Sequence, residues 1–370
     1  MHIIGGVYLE LCDHPSTEQI FGSGGRAALA LAQVSPNVVL HTYSSAHNAS
    51  VWEAFKRQGI DLELSNSQTP FAFSYFHPLS NPVPLPPLSN TKKASPIQVK
   101  GDVVLRFGML GGEAIVDAQT AVYDPQGDSM PFAANGSRAA KLALVLNEQE
   151  LDQMGGFQHV KAESQPEVMV IKRGLRGATV VADDTETTVP AYLSSRVSKI
   201  GSGDVFSAMF AYWWGEQGLP PCKAADLASR TVSQFCEFGH LPIDLRTLKD
   251  RRAAPTGDSG PILIEGAIDT LGRRYVVQEA KAQLRNFGFS VFAPCLGEPP
   301  PRNIPRAVLW IAEGLSVENF SKLSEQNVVV LAENSFAGIL DILGEDVDVA
   351  DDFTTALYRV GWMAMSMPKT

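Results

Sequence analysis

The sequence is poor in cysteine and does not group what it has. Cys12, Cys222, Cys236 and Cys295 are spread through 370 residues with no CxxC pair and no Cys/His cluster. This excludes a disulfide framework or a zinc ribbon and fits thiols in a reducing compartment. The histidines, His2, His14, His41, His47, His77, His159 and His240, show no paired metal-ligand spacing. Long apolar runs are missing too: nothing approaches the ~18 uninterrupted apolar residues expected of a membrane span. Neither a basic region nor a long apolar core follows Met1, so no secretory leader is expected. Positive charge is in deficit, with 30 Lys and Arg against 40 Asp and Glu, a net charge of −10. That argues against a nucleic-acid backbone or an anionic membrane as main partner. A cytoplasmic protein is expected, and a homo-oligomer is left open.

What remains is ordinary globular material, 45% hydrophobic and 19% charged, in a chain long enough for two domains. Residues 2–11 read as a strand that carries Glu10 at its carboxyl end, where ligands bind in open α/β sheets. Phe21-Gly22-Ser23-Gly24-Gly25 reads as a glycine-rich loop, followed by an Ala/Leu-rich helix over 26–33. Residues 38–43 are strand-like, 50–59 helical with Gly59 as the stop, and 69–77 an aromatic strand or flap. The proline-rich stretch 81–89 should be an extended loop. Strands are expected at 103–107, 121–124, 142–146, 168–172 and 179–181, and a helix at 224–238, the pattern of a largely parallel sheet covered by helices. Residues 246–260 are polar and rich in breakers, and read as a linker between a domain at 1–245 and a second α/β domain at 261–370. There strands are expected at 262–265, 290–293, 307–311 and 328–332, with helices at 274–287 and 354–365.

One stretch organises the chain. Lys199-Ile200-Gly201-Ser202-Gly203-Asp204 leads into an apolar run in which Phe206, Met209, Phe210 and Trp213 recur at helical spacing. Gly201, Ser202 and Gly203 therefore sit at a helix start, where free N–H groups and the helix dipole attract phosphate. Asp204 is a carboxylate inside that anion site. A base that takes a proton from an attacking hydroxyl would explain it; a glycine turn with an acid in the first helical turn is the plainer alternative.

With these motifs in order, residues 1–245 resemble the ribokinase-like (PfkB) family of sugar and nucleoside kinases. Val197-Ser198-Lys199-Ile200-Gly201-Ser202-Gly203-Asp204 matches the family signature. Asn147-Glu148-Gln149-Glu150 matches its Asn-x-x-Glu, Lys172-Arg173-Gly174-Leu175-Arg176-Gly177 its Lys/Thr-x-Gly-x-x-Gly, Gly24-Gly25 its early Gly-Gly, and Asp124-Pro125 its strand ending in Asp-Pro. The resemblance implies a three-layer α/β/α domain and an ATP- and Mg²⁺-dependent transfer of phosphate to a sugar or nucleoside hydroxyl. Asp204 would be the base and Gly201, Ser202 and Gly203 the anion hole. Asn147 and Glu150 would meet Mg²⁺ through water, Lys172, Gly174 and Gly177 would lie on the nucleotide side, and Glu10, Gly24 and Gly25 would face the acceptor.

Three residues depart from the pattern: Glu10 for an Asp, Leu29 for an acceptor-contacting Asn, and Ser198 for the Asp that opens the signature. The nucleotide half is thus better kept than the acceptor half, and a nucleotide-binding regulatory protein is an alternative. Residues 261–370 resemble, more loosely, the nucleoside 2-deoxyribosyltransferase-like proteins, which implies a smaller flavodoxin-like domain. Tyr358 or Arg359 stands where that family has its nucleophilic Glu, and neither can act as a carboxylate. Glu313, Glu333 and Asp352 are the remaining candidates for an N-glycosidase or transferase activity. The acidic run from Glu345 to Asp352 reads as a solvated loop.

Overall fold

The computed structural model describes residues 1–44, 49–67, 69–300, 303–315, 327–333 and 347–366. The chain divides into two compact units. One comprises Met1–Arg173, Gly177–Ser194 and Ser198–Arg252, the other Gly174–Arg176, Ser195–Val197 and Ala253–Thr370.

The first unit is built on a nine-stranded sheet. Its strands are β1 (His2–Ile4), β4 (Val38–Ser44), β5 (Ile60–Asn66), β8 (Ile97–Phe107), β9 (Ala114–Asp124), β10 (Arg138–Asn147), β11 (Val168–Lys172), β12 (Ala178–Ala182) and β13 (Thr185–Val189). They lie in the order β13-β12-β11-β10-β9-β8-β1-β4-β5. From β11 across to β5 every neighbour is parallel, while β12 and β13 add an antiparallel margin. Runs such as Ala143-Leu144-Val145-Leu146 are buried throughout, as strands covered on both faces must be. One face packs Ile3, Leu40, Leu105 and Val145 against Leu31, Met209 and Phe210. The other packs Ile4, Val104, Tyr123 and Leu144 against Phe132 and Leu151. The helices are α1 (Gly22–Leu31), α2 (Ala49–Arg57), α3 (Glu148–Gln153), α4 (Phe157–Ser164), α5 (Ser202–Phe210) and α6 (Pro221–Phe238). α5 packs against both α1 and α6. As the spacing predicts, Phe206, Met209 and Phe210 are buried and Trp213 is half-buried.

Residues 2–11 do not form one strand. β1 ends at Ile4, and Glu10 belongs to β2 (Leu9–Cys12), which joins β3 (Thr17–Ile20), β6 (Ala72–Tyr75) and β7 (Val83–Leu85) in a separate sheet ordered β3-β2-β6-β7. The break has a physical cause. The glycines expected in a loop instead form the first turn of α1, and the Gly24 N–H donates to the Gly6 carbonyl at 3.0 Å. A β-carbon on Gly24 would stand 2.6 Å from the Gly5 carbonyl carbon, so helix and strand end meet backbone to backbone. Gly24→Ala is accordingly expected to cost about 1–3 kcal/mol through forced separation, read as a lowered urea midpoint at unchanged slope. The proline-rich stretch also holds more order than expected. Val83–Leu85 is an edge strand, where proline is tolerated, and Leu88–Asn90 is a 3₁₀ turn. In the stretch read as a linker, Leu245–Asp250 forms a 3₁₀ turn with Leu248 buried.

The second unit carries five parallel strands, β14 (Ile262–Gly266), β15 (Val291–Phe292), β16 (Ala307–Ile311), β17 (Val328–Leu331) and β18 (Asp348–Ala350), ordered β15-β14-β16-β17-β18. Its helices are α7 (Leu271–Asn286) and α8 (Phe353–Met365), the latter capped by Asp352 accepting from the Thr355 N–H at 2.8 Å. Among the described residues no helix is long and apolar enough to cross a membrane.

Candidate active site

Neighbouring strands of the large sheet deliver chemistry at their carboxyl ends. Asp124 closes β9, Asn147 closes β10 and Lys172 closes β11. Strand order reverses between β1 and β8, and in open α/β sheets ligands collect at the carboxyl edge near such a reversal. The N-terminus of α5 meets this edge. Gly201 precedes the helix with φ of 78°, a left-handed conformation glycine adopts without penalty.

Three cationic side chains, from α1, from β11 and from the loop before α5, reach successive residues of that terminus. The Arg26 guanidinium, from α1, lies against Gly201: a β-carbon there would stand 1.9 Å from its Nε. Lys199 Nζ is 3.4 Å from Ser202 Oγ, and Lys172 Nζ would be 3.6 Å from a β-carbon on Gly203. The Ser202 N–H is already donated to the Lys199 carbonyl at 3.1 Å. The N–H groups of Gly203 and Asp204 belong to the first helical turn, which has no intrahelical partner for them.

Asp204 is 7% exposed and both its oxygens are engaged. Oδ2 accepts from Arg26 Nη1 at 2.8 Å and Oδ1 from Gln126 Nε2 at 3.0 Å. Burial pushes its pKa up to about 6; Arg26 opposes the rise, while Asp124 and Glu10 add to it. Such a carboxyl is still mostly ionised at pH 7 and closely matched to taking up a proton. Beneath it Asp124, wholly buried, accepts from Lys172 Nζ at 2.6 Å and Ser207 Oγ at 2.6 Å. Gln126 ties Asp124 to Asp204, its Nε2 lying 3.2 Å from Asp124 Oδ1. Burial works against the Lys172 charge, but Asp124 and then Glu150 more than offset it and its pKa is raised. Burial lowers that of Lys199.

The expected acceptor residues have other partners. Both Glu10 oxygens accept from Arg26, Oε1 from Nη1 at 3.2 Å and Oε2 from Nη2. The Gly24 N–H is spent on Gly6, and a β-carbon on Gly25 would touch Phe55 and Val7, so these glycines serve helix packing. Asn147 and Glu150 form a capping box for α3. Asn147 Oδ1 accepts from the Glu150 N–H and Glu150 Oε2 from the Asn147 N–H, both at 2.8 Å. Glu150 still feels the charges of the cluster: burial raises its pKa, Lys172 lowers it and Asp124 raises it further. Gly174 falls outside the cluster, grouping with the second unit, where Tyr358 Oη would lie 3.4 Å from its β-carbon. Gly177 is held by packing, since a β-carbon would stand 2.1 Å from the Val189 carbonyl oxygen.

Thus Glu10, Lys172, Gly201, Ser202, Gly203, Asp204 and Glu150 come together, joined by residues to which the motifs assign no role. Arg26, Gln126, Lys199 and Ser207 are the additions, and Asp124 gains Lys172 and Ser207 as partners. The signal for Arg26 was a lone charge inside Gly24-Gly25-Arg26-Ala27-Ala28, since a cation on a helix face of small residues must be buried with partners.

In the second unit Tyr358 is buried, its ring centroid 5.5 Å from that of Phe287 and 5.6 Å from that of Trp362. Arg359 pairs with Asp348 at 2.5 Å and donates to the Val349 carbonyl. Glu333 accepts from the Phe353 N–H at 3.2 Å, and Asp352 is the α8 cap. Burial raises the pKa of Glu265. His47, Glu345 and Asp346 lie outside the described residues. Among those described, no three His, Cys, Asp or Glu side chains are grouped to hold a metal.

The sequence matches no family model and no curated protein. Among solved structures the chain is similar to a pyrophosphate-dependent kinase in the ribokinase family complexed with a pyrophosphate analog and myo-inositol, at 12% identity and TM-score 0.48 over 67% of this chain and 98% of that one. It is also similar to the Methanocaldococcus jannaschii nucleoside kinase, at 14% and 0.48 over 67% and 97%. Phosphofructokinase-2 from Escherichia coli gives 10% and 0.47 over 68% and 97%. The deoxyribosyltransferase likeness of the second unit finds no support there. At such identities and scores these likenesses carry no activity over to this chain.

Proposed function

We propose that the first unit is a phosphotransferase that moves the terminal phosphoryl group of a nucleotide such as ATP onto a hydroxyl of a sugar or nucleoside. The observation that carries this reading is the set of cations Arg26, Lys199 and Lys172 ranged along Gly201, Ser202 and Gly203, with a carboxyl of pKa about 6 on the very next residue. Phosphoryl transfer needs charge neutralisation, positioning and a base, and little covalent chemistry. The cations and the free N–H groups of the α5 terminus would hold the phosphoryl oxygens, and Asp204 would take the hydroxyl proton as the new O–P bond forms.

Mg²⁺ is implied by the same reading, and the donor set fits only an ion that keeps its waters. Glu150 has one oxygen outside the capping box, and among the described residues no carboxylate cage is grouped, so a hydrated ion carried on the nucleotide phosphates would meet Glu150 through water. Such an ion neutralises phosphate charge. The strand order of the second unit, two-one-three-four-five, supports a flavodoxin-like assignment. With Tyr358 buried and Arg359 paired, no carboxylate stands at the expected nucleophile positions, so an N-glycosidase reading is not favoured.

The test is nucleotide turnover across a panel of sugars and nucleosides with Mg²⁺, parent against Asp204→Ala. Turnover on at least one acceptor, lost in the variant, is expected; turnover undiminished by the change would sink the mechanism. Because both Asp204 oxygens are engaged, a second reading is a nucleotide-binding regulatory protein of the cytoplasm. Calorimetry that finds tight nucleotide binding without turnover on any acceptor would select it.

A further inference from the structure

We propose that Arg26 is the residue that meets the transferring phosphoryl group, pivoting on Glu10 and away from Asp204 as the donor arrives. The inference rests on the phosphoryl-transfer reading and assigns an active part to a side chain that otherwise only blocks the base.

Its two ties are unequal. Glu10 holds the guanidinium at two points, Nη1 to Oε1 at 3.2 Å and Nη2 to Oε2. Two-point contact fixes the plane of the group and acts as an anchor. Asp204 holds it at one point, Nη1 to Oδ2 at 2.8 Å, and a single contact can be exchanged while the anchor stays. Position points the same way. The guanidinium runs along the first turn of α5, from Gly201, where a β-carbon would stand 2.1 Å from Cζ, to Asp204. It is 2% exposed, and Tyr75 feels the same charges, its phenol pushed up by burial and then by Glu10 and Asp204. No small movement takes Arg26 out to solvent, so an exchange of partners inside the site is the available motion.

That exchange solves the difficulty of the engaged base. With Gln126 on Oδ1 and Arg26 on Oδ2, each Asp204 oxygen already carries a donor, and the cation on Oδ2 weakens it as a base toward an acceptor hydroxyl. A phosphoryl oxygen offers Arg26 a charge-assisted partner of at least equal strength, and the same movement frees Oδ2. Donor arrival and release of the base are then one event. During transfer the acceptor oxygen bonds to phosphorus as the bond to the leaving group breaks. The leaving group keeps that electron pair, the hydroxyl proton passes to Asp204 Oδ2, and Arg26 stays protonated beside the equatorial oxygens, where charge gathers. Glu10 is thereby a positioning residue for Arg26.

The experiment measures affinity for inorganic phosphate by calorimetry on the full chain at low ionic strength. Asp204→Asn removes the competing carboxylate and is expected to bind phosphate about tenfold more tightly than the parent. Adding Arg26→Gln to Asp204→Asn should erase that gain, weakening binding by about tenfold or more. Because Glu10 is left without its partner in that protein, Glu10→Gln is added in a third; it should fold, by near-ultraviolet circular dichroism, and bind phosphate as weakly. Equal affinity in Asp204→Asn with and without Arg26 would reduce Arg26 to a structural clip and overturn the proposal, as would no phosphate binding by Asp204→Asn. Neither result depends on turnover, so this inference and the kinase reading can fail separately.

Discussion

Replacement of Arg26 by methionine is expected to lower stability by about 3–5 kcal/mol at pH 7, because removing one partner of a buried ion pair strands the other charge. Here two carboxylates are stranded at once. Glu10 and Asp204 are each 7% exposed, and Arg26 touches both. Methionine fills much of the volume and keeps the α1 packing, so the loss should be electrostatic and recoverable. Adding Glu10→Gln and Asp204→Asn to Arg26→Met should restore most of the stability, since no buried charge of the triad remains. The gap between parent and Arg26→Met should also narrow toward pH 5, as Asp204 takes up its proton. Urea midpoints for the three proteins at pH 5 and 7 measure this. A loss that persists undiminished in the triple variant would mean that Arg26 acts through packing and not through charge.

Asp204→Asn is expected to do opposite things to rate and stability. Loss of a general base typically costs 10²–10⁴-fold in rate, and the amide cannot take the hydroxyl proton. Stability should rise at neutral pH. Burial lifts the Asp204 pKa from 3.8 to about 6, above the opposing pull of Arg26. Between those values the folded protein holds a proton that the unfolded chain has given up. Stability therefore falls as pH rises through the window from about 4 to 6 and stays on the lower plateau above it. The variant lacks that slope. At pH 7 it should be the more stable protein by up to about 3 kcal/mol, and at pH 4 the difference should vanish. Midpoints from pH 4 to 8, with initial rates on whichever acceptor supports turnover, test both arms. A parent whose stability is flat across this window would refute the raised pKa. A variant that keeps its rate would refute the base.

The two substitutions separate the residues that sequence reading finds from those it passes over. Asp204 stands out because a carboxylate next to Gly201-Ser202-Gly203 at a helix start contradicts the local electrostatics, and a contradiction of that kind is visible in a string of letters. Arg26 stands out less, as a lone charge among small residues that signals burial without naming a partner. Nothing near it in sequence contradicts it, and its partners lie 16 and 178 residues away. Leu29, the departure on the acceptor side, stands three residues past the position that fills the space. The placement of Glu10 on the first strand fails for a related reason. Residues 2–11 are apolar enough to pass for one strand, and only the pressure of Gly24 on Gly5 shows why the chain must leave the large sheet before Glu10. The capping box of Asn147 and Glu150 was legible as a motif, yet the spacing that suggests a metal partner is the same spacing that caps a helix.

From the letters alone came the alternation of strand and helix, the apolar face of α5 and the anomaly of Asp204 at its start. All of these depend on periodicity and on charge near a helix end, forces that act over a few residues. Tertiary structure alone decided which side chains occupy the α5 terminus. It ranged Arg26, Lys199 and Lys172 along Gly201, Ser202 and Gly203, hung Gln126 between Asp124 and Asp204, and gave Glu10 to Arg26. Buried charges are satisfied by whatever the fold brings within about 3 Å, and that distance is set by the packing of α1, the small sheet and the ends of β9 and β11 against α5. Sequence separation carries no information about it.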